Sequence, residues 1–490
     1  MASEDIYISG KWQTGYGKEI QSYNPANGEP IWKGSIASES DTQRAVNAAR
    51  AAWHDWNALG FDQRTIILQK LETIFEESKD QLASAISLET GKPLWDSQGE
   101  VAAMVGKLAI SIKAYKDRCK DLNKELSAGR SFTKHRPHGT LAVFGPYNFP
   151  GHLPNGHILP ALLAGNTIVF KPSENTPFVG KLLTECYEKL NLPPGVFNMV
   201  QGGKGVGELL AKSSGVDGLL FTGSFGAGQS LMKLVAENPG KILALELGGN
   251  NPLVFDSASS LKAAAYITIV SAFLSSGQRC TCARRLIIPK TSEGDAFIEA
   301  LTKMTSAISV GPFNQSPEPF MGPLINEGQA IKVLSRQAAL LEQGAVSIVP
   351  LQQINDQTNL LSPGIMDVTQ VKERLDDEIF GPLLQVVRTE DFHSSLIEAN
   401  QTAFGLSAGI LTDNENHWKL FYESIKAGVV NWNTPLTGAS SAAPFGGVGK
   451  SGNYHPSAYY AADYCAYPVA SLANSKAALP ENPLPGISIL

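Results

Sequence analysis

Thr140-Leu141-Ala142-Val143-Phe144, closed by Gly145-Pro146, is the stretch on which the fold turns. An apolar run without polar alternation fits a strand covered on both faces, as in a parallel sheet. The signal recurs downstream. Asn166-Thr167-Ile168-Val169-Phe170-Lys171-Pro172 reads as a strand stopped by proline, followed by Phe197-Asn198-Met199-Val200 and Gly218-Leu219-Leu220-Phe221-Thr222-Gly223. Helix-compatible runs separate these strands, one of them over 178–190. After Asn250 the alternation resumes: strands at 253–255 and 285–288, an apolar helix at 261–274 between them, and further signals to Asn431. Apolar strands alternating with helices predict an α/β protein with two doubly wound parallel sheets. Such sheets bind nucleotides at the carboxyl ends of their strands, with phosphates near helix N-termini.

Outward from this core the signals change. The first 36 residues read as short strands with turns, Ile6-Tyr7-Ile8 first and an Asn27-Gly28 hairpin later. A helix follows whose apolar positions 45, 48, 49, 52, 53 and 56 share one face, then long helical stretches over 62–88 and 97–117. The polar segment 122–137, ending near Lys134, His135, Arg136 and His138, admits a basic ligand patch or a protruding arm for self-assembly; the arm is the expectation. The tail is strand-like over 461–469, then rich in Pro and Ala.

Composition excludes several functions. A net charge of −6 and pI near 5.8 leave no basic surface for nucleic acid. The five cysteines, at 119, 186, 280, 282 and 465, are too scattered for a disulfide framework and suit a reduced compartment. Cys280-Thr281-Cys282 has no second pair and no His cluster, so no metal is expected. The start Met1-Ala2-Ser3-Glu4-Asp5 lacks a basic region before an apolar one, and no uninterrupted apolar segment reaches the ~18 residues of a membrane span. A cytoplasmic protein is expected.

Candidate chemistry lies in five places. Ser276-Gly277-Gln278-Arg279-Cys280 follows the apolar helix, and a thiol delivered on a loop there is either a nucleophile or a small packing residue. Asn148, just past the first core strand, could donate to an oxyanion or merely serve a turn. Lys171, with Ser173 and Glu174, ends a strand where ribose hydroxyls could bind; the same residues would also suit an exposed helix cap. Gly223-Ser224-Phe225-Gly226-Ala227-Gly228 ends a strand and opens a helix, either a pyrophosphate site or an ordinary tight turn. Glu246, a lone carboxylate in an apolar strand, has the setting of a base with a raised pKa.

Leu245-Glu246-Leu247-Gly248-Gly249, Gly277-Gln278-Arg279-Cys280, Pro146-Tyr147-Asn148-Phe149-Pro150 and Glu378-Ile379-Phe380-Gly381-Pro382 together resemble the signature motifs of the NAD(P)-dependent aldehyde dehydrogenase superfamily, in its order. That resemblance implies an NAD-binding domain (1–121 and 138–247), a catalytic domain carrying the cysteine (248–440), and an oligomerisation arm and tail (122–137 and 458–490). Cys280 would be the nucleophile, passing through a thiohemiacetal and a thioester. Asn148 would stabilise the oxyanion and Glu246 would activate water. NAD would be held by Lys171, Ser173 and Glu174 at the adenosine ribose, the turn Gly223, Ser224, Phe225, Gly226, Ala227 and Gly228 at the pyrophosphate, and Glu378 and Phe380 at the nicotinamide end. A homodimer or homotetramer follows by the same resemblance.

The sequences around Asn148 and Cys280 further resemble members acting on acidic semialdehydes, above all N-succinyl-L-glutamate 5-semialdehyde of arginine catabolism; succinate and glutamate semialdehydes are the alternatives. Arg279 could pair with such a substrate's carboxylate or with an acid of the protein itself. Tyr147 and Asn250 depart from the family's usual tryptophan and lysine, and neither has a part in the chemistry.

Overall fold

In a computed structural model of the chain, residues 4–126, 129–354, 359–480, 482 and 484–487 are described. One sheet runs in the order Ile242–Glu246, Gly218–Thr222, Thr140–Phe144, Thr167–Lys171, Phe197–Met199, Ile6–Ile8, Lys11–Gln13. Its first five strands are parallel, and the two from the N-terminus finish the edge antiparallel. The apolar runs are explained by burial on both faces. Leu141, Val143, Ile168 and Phe170 join one core, while Ala142, Phe144 and Val169 join another on the opposite face.

A second sheet repeats the plan: Val346–Val349, Gly364–Asp367, Leu383–Thr389, Ala283–Pro289, Asn251–Phe255, Ser407–Leu411, Val429–Trp432. Only Val346–Val349 is antiparallel to its neighbour. Again alternate residues feed separate cores, with Leu253, Phe255, Leu286 and Ile288 on one face and Val254 and Ile287 on the other. The α/β reading with two doubly wound sheets stands, with antiparallel edges added.

The segment read as an arm is a hairpin, Leu122–Leu126 with Gly129–Pro137, and Ala466–Ala473 pairs with its second strand. Two readings are corrected. The stretch 62–88 is three helices, Gly60–Leu68, Lys70–Glu77 and Lys79–Thr90, interrupted at Gln69 and Ser78. The strand expected from 461 begins only at Ala466; Ala461–Cys465 is a short helix whose Ala461, Ala462, Tyr464 and Cys465 are buried. Packing of those side chains overrides the local β signal.

Candidate active site

The carboxyl edge of the first sheet gathers four of the five candidate groups, and strand order sets them in a row. Glu246 ends one strand, Gly223-Ser224 follows the next, Asn148 lies past the third, and Lys171 and Glu174 close the fourth. Adjacent strands are ~4.8 Å apart, so the row spans roughly 15 Å. Lys171 Nζ donates to the carbonyls of Pro172 (2.9 Å) and Gly202 (2.7 Å) and lies 3.7 Å from the half-exposed Glu174. Burial lowers its pKa against the opposing pull of Glu174. Ser173 is buried and accepts from the Asn175 N–H. Ser224 caps the helix Phe225–Val235 by accepting from Ala227 N–H, and a Cβ added at Gly226 would meet open space. An uncluttered helix N-terminus at a parallel strand's end is a ready anion site.

Cys280 comes from the other sheet, and its loop is strained. Ser275, Ser276 and Gly277 have φ of 53°, 58° and 72°, two of them non-glycine residues in the left-handed region. Each such residue costs on the order of 1 kcal/mol, so something must hold the turn. At Gly277 itself a Cβ would sit 2.2 Å from the Gly381 carbonyl, so only glycine fits. Ser275 Oγ donates to Asp96 (2.5 Å), Ser276 Oγ donates to the Gly322 carbonyl (2.7 Å), and Arg279 Nη2 pairs with Asp96 at 2.6 Å. Burial works against the Asp96 carboxylate, yet Lys92 and Arg279 hold it below the usual range. Arg279 Nε also donates to Ser275 Oγ (2.8 Å). Of the two readings left open for Arg279, the structure shows the pairing with the protein's own acid. In that pairing the guanidinium is a brace of the cysteine loop.

Asn148 is buried, and its side-chain amide donates to the Gln278 carbonyl at 2.9 Å, two residues before Cys280. One amide proton is fixed there; the other stays available for a second acceptor. Cys280 is half-buried, whereas Cys282 is fully buried, its Sγ 3.7 Å from the Leu274 carbonyl, and packs as expected. Burial, with Glu378 and Glu246 adding to it and Arg284 opposing, pushes the Cys280 thiol up to about 12. Both carboxylates therefore act electrostatically on the sulfur.

Glu246 is the unusual group. Its Oε1 accepts from the Ser457 N–H at 3.2 Å, while Oε2 is buried with no partner. Among the described residues no cation offsets it, and burial raises its pKa well above the ordinary carboxylate value. Glu378 is raised by burial too, but Arg284 at 3.6 Å and the Gly249 N–H partly compensate. A Cβ at Gly248 would overlap Glu378 Oε2 at 1.8 Å, so the glycine pair after Glu246 lets that carboxylate in. Phe380 packs edge-on against Tyr147, and its carbonyl accepts from Gln329 (2.7 Å).

Sequence reading missed several residues. Asn251 Nδ2 donates to the Cys280 (2.7 Å) and Cys282 (2.9 Å) carbonyls while its Oδ1 accepts from Ser407 N–H. Arg284, fully buried, ties Gly277, Arg279 and Glu378 together. Asp96 and Ser457 had no local signal at all. The only available hint was Arg284-Arg285 in an otherwise apolar strand, since buried arginines demand partners.

The aldehyde dehydrogenase family model matches residues 12–467. The chain belongs to the aldehyde dehydrogenase family. Among curated relatives, it is 50% identical over 484 residues to an N-succinylglutamate 5-semialdehyde dehydrogenase of Pseudomonas fluorescens (strain Pf0-1), covering 99% of both chains. Solved structures agree in fold. One from Sinorhizobium meliloti 1021, complexed with NAD, has a TM-score of 0.90 at 25% identity over 97% of this chain and 99% of that one. Another is an NADP-dependent glyceraldehyde-3-phosphate dehydrogenase from Bacillus halodurans C-125 complexed with NADP, with a TM-score of 0.89 at 25% identity over 97% of this chain and 100% of that one.

Both departures from the usual aldehyde dehydrogenase motifs have structural work. The Asn250 amide donates to Asp376 (2.9 Å), which also receives Thr402 and the Ala403 N–H. Tyr147 lies half-buried against Phe380, its hydroxyl pKa raised by burial and then by Glu378.

Proposed function

We propose that the protein oxidises N-succinyl-L-glutamate 5-semialdehyde to N-succinyl-L-glutamate with NAD, a step of arginine catabolism. The observation that carries the chemistry is the set around Cys280: a half-buried thiol, an amide fixed beside it, and a buried carboxylate with a free oxygen. The substrate name comes from the relative of 50% identity. Cys280 gives up its thiol proton to solvent, the sulfur adds to the aldehyde carbon as the C=O π pair moves onto oxygen, and Asn148 Nδ2 with the Cys280 N–H would donate to that negative oxygen. A bound nicotinamide supplies the acceptor for the hydride, which leaves a thioester on Cys280. Glu246 then takes a proton from water, and the hydroxide equivalent releases the acid.

Replacing Asn148 by Ala removes one oxyanion donor. It is expected to lower kcat by about 10²–10³-fold with KM changed far less. Equal losses in kcat and 1/KM would assign Asn148 to substrate binding instead.

The donor set suits NAD. Glu174 would accept from the adenosine ribose hydroxyls beside Lys171 and Ser173, and its half-exposed carboxylate would repel a 2′-phosphate. The turn Gly223 to Gly228 would take the pyrophosphate on the helix N-terminus, and Glu378 and Phe380 the nicotinamide end. Accordingly, Glu174→Ser should raise the NADP/NAD ratio of kcat/KM about tenfold or more. An unchanged ratio would remove Glu174 from cofactor choice.

The first sheet is read as the NAD-binding domain, the second as the catalytic domain, and the hairpin with Ala466–Ala473 as the surface for a homodimer or homotetramer in the cytoplasm. Exposed Leu122, Leu126 and Leu472 support that use of the hairpin. Among the described residues no helix is long and apolar enough to cross a membrane. A panel of N-succinylglutamate, glutamate and succinate semialdehydes, compared by kcat/KM for NADH formation, tests the substrate. A higher value for succinate or glutamate semialdehyde would replace it.

A further inference from the structure

A buried charge imbalance lies along one wall of the cleft that leads to Cys280. Asp96, Glu100, Met104 and Lys107 share a face of the helix Leu94–Arg118. Opposite them stands the helix His152–Ala164, which follows directly from the Asn148 loop. Phe149, His152 and Gly156 are half-exposed, as are Arg279 and Cys280; Lys92 and Arg279 both lie over the Phe149 ring, and Lys107, Lys92 and Arg279 all act on His152, so these side chains form one cluster beside the cysteine loop.

Three cations enter this wall: Lys92, Lys107 and Arg279. Among the described residues, two carboxylates answer them. Lys92 pairs with Glu100 at 2.5 Å, and Arg279 pairs with Asp96 at 2.6 Å. Both acids have further donors to satisfy: Glu100 accepts from the Gly151 and His152 N–H groups, and Asp96 from Ser275. Lys107 is left over. It is 2% exposed, only burial acts on its pKa, which falls to about 8, and no carboxylate raises it. Buried ammonium groups are rarely left unpaired, because desolvation costs several kcal/mol. A Cβ built on Gly156 would sit 3.6 Å from Lys107 Cε and 3.8 Å from Nζ, so a larger side chain at 156 would lie across the amine that glycine leaves uncovered. Nearby, His152 Nδ1 is buried without a partner; burial, then Lys107, Lys92 and Arg279, pushes that imidazole down to about 3. The wall thus lacks one negative charge.

We infer that Lys107, at the floor of the gap left by Gly156, binds a carboxylate of the substrate remote from its aldehyde. Lys107 lies eleven residues beyond Asp96 on the same helix face, about 16 Å along the axis, which separates it from the cysteine loop braced by Asp96. A substrate whose second carboxylate lies many bonds from the aldehyde reaches farther along that helix face than succinate semialdehyde does. In the named substrate this group is the succinyl carboxylate, so the inference rests on the proposed function and adds the residue that reads it.

The test compares N-succinyl- with N-acetyl-L-glutamate 5-semialdehyde, which differ by the distal CH2–COO− unit, on the wild type and on Lys107→Met. The wild type is expected to favour the succinyl compound by about 100-fold in kcat/KM, as a charged hydrogen bond supplies. Lys107→Met should erase that preference, lower the succinyl value alone, and keep NADH formation from the acetyl compound. The product N-succinyl-L-glutamate should raise the melting temperature of the wild type and not of the variant, a readout independent of turnover. Lys107→Gln serves as a second neutral variant should Met fail to fold. A preference retained by both neutral variants overturns the inference and leaves the proposed function standing. A wild type that makes NADH from neither compound overturns the proposed substrate itself.

Discussion

Cys280→Ala is expected to abolish NADH formation, with kcat/KM falling by at least about 10⁴-fold, while the protein folds as before. The size follows from the division of labour. Asn148 and the backbone can polarise a carbonyl, but without the sulfur no thiohemiacetal forms and no hydride is released; nucleophile deletions elsewhere cost comparable factors. Stability should be almost untouched, because the strained turn is held by Ser275, Ser276 and Arg279 rather than by the thiol. Neither of the two loop carbonyls to which Asn251 Nδ2 donates depends on the Cys280 side chain. Cys280→Ser should be nearly as inactive, since a hydroxyl in a setting that already pushes a thiol up to about 12 is harder still to ionise. Measured NADH absorbance with a semialdehyde decides the point. Turnover above a hundredth of wild type in the Ala variant would give the reaction another nucleophile.

Much of this arrangement was legible in the chain because both sheets are covered on both faces. Strands such as Thr140–Phe144 and Thr167–Lys171 must then be apolar throughout, and they announce themselves. Chemistry was legible where a polar residue broke such a pattern, as Glu246 does at the end of Ile242–Glu246. Pairings across long distances were not. Asp96 lies 183 residues from Arg279, and no local pattern marks it as the acid that braces the cysteine loop. The same blindness left Arg279 between two partners and hid Lys107, whose significance is the absence of a counter-charge. Local breaks such as Ser78, with φ −97° and ψ 4°, fall within the uncertainty of any helical periodicity.

Glu246→Gln should separate the two halves of the reaction: a burst of about one NADH per Cys280, then turnover slowed by about 10²–10⁴-fold. The amide is nearly isosteric, and its oxygen can keep the Ser457 N–H. Thioester formation survives, because Gln removes one of the two carboxylates that hold the thiol protonated. Thioester hydrolysis does not, because a neutral amide cannot take a proton from water. Mass spectrometry of the stalled protein should find the acyl group on Cys280, and hydroxylamine should release it. Loss of the burst together with the steady state would move Glu246 to the first half of the reaction. The pH dependence has a definite sign as well. Glu246 holds its proton more tightly folded than unfolded, since burial raises its pKa from 4.5. Its favourable contribution to stability is therefore complete below that value and declines as pH rises toward the raised one. Glu246→Gln escapes this decline, so its melting temperature relative to wild type should climb between pH 5 and 8. A difference that is flat or falls over that interval would mean that an unseen cation compensates the carboxylate. Were Glu246 a structural residue only, the stability difference would appear and the burst would not. The two measurements together distinguish a base kept unpaired for catalysis from a carboxylate that is simply buried.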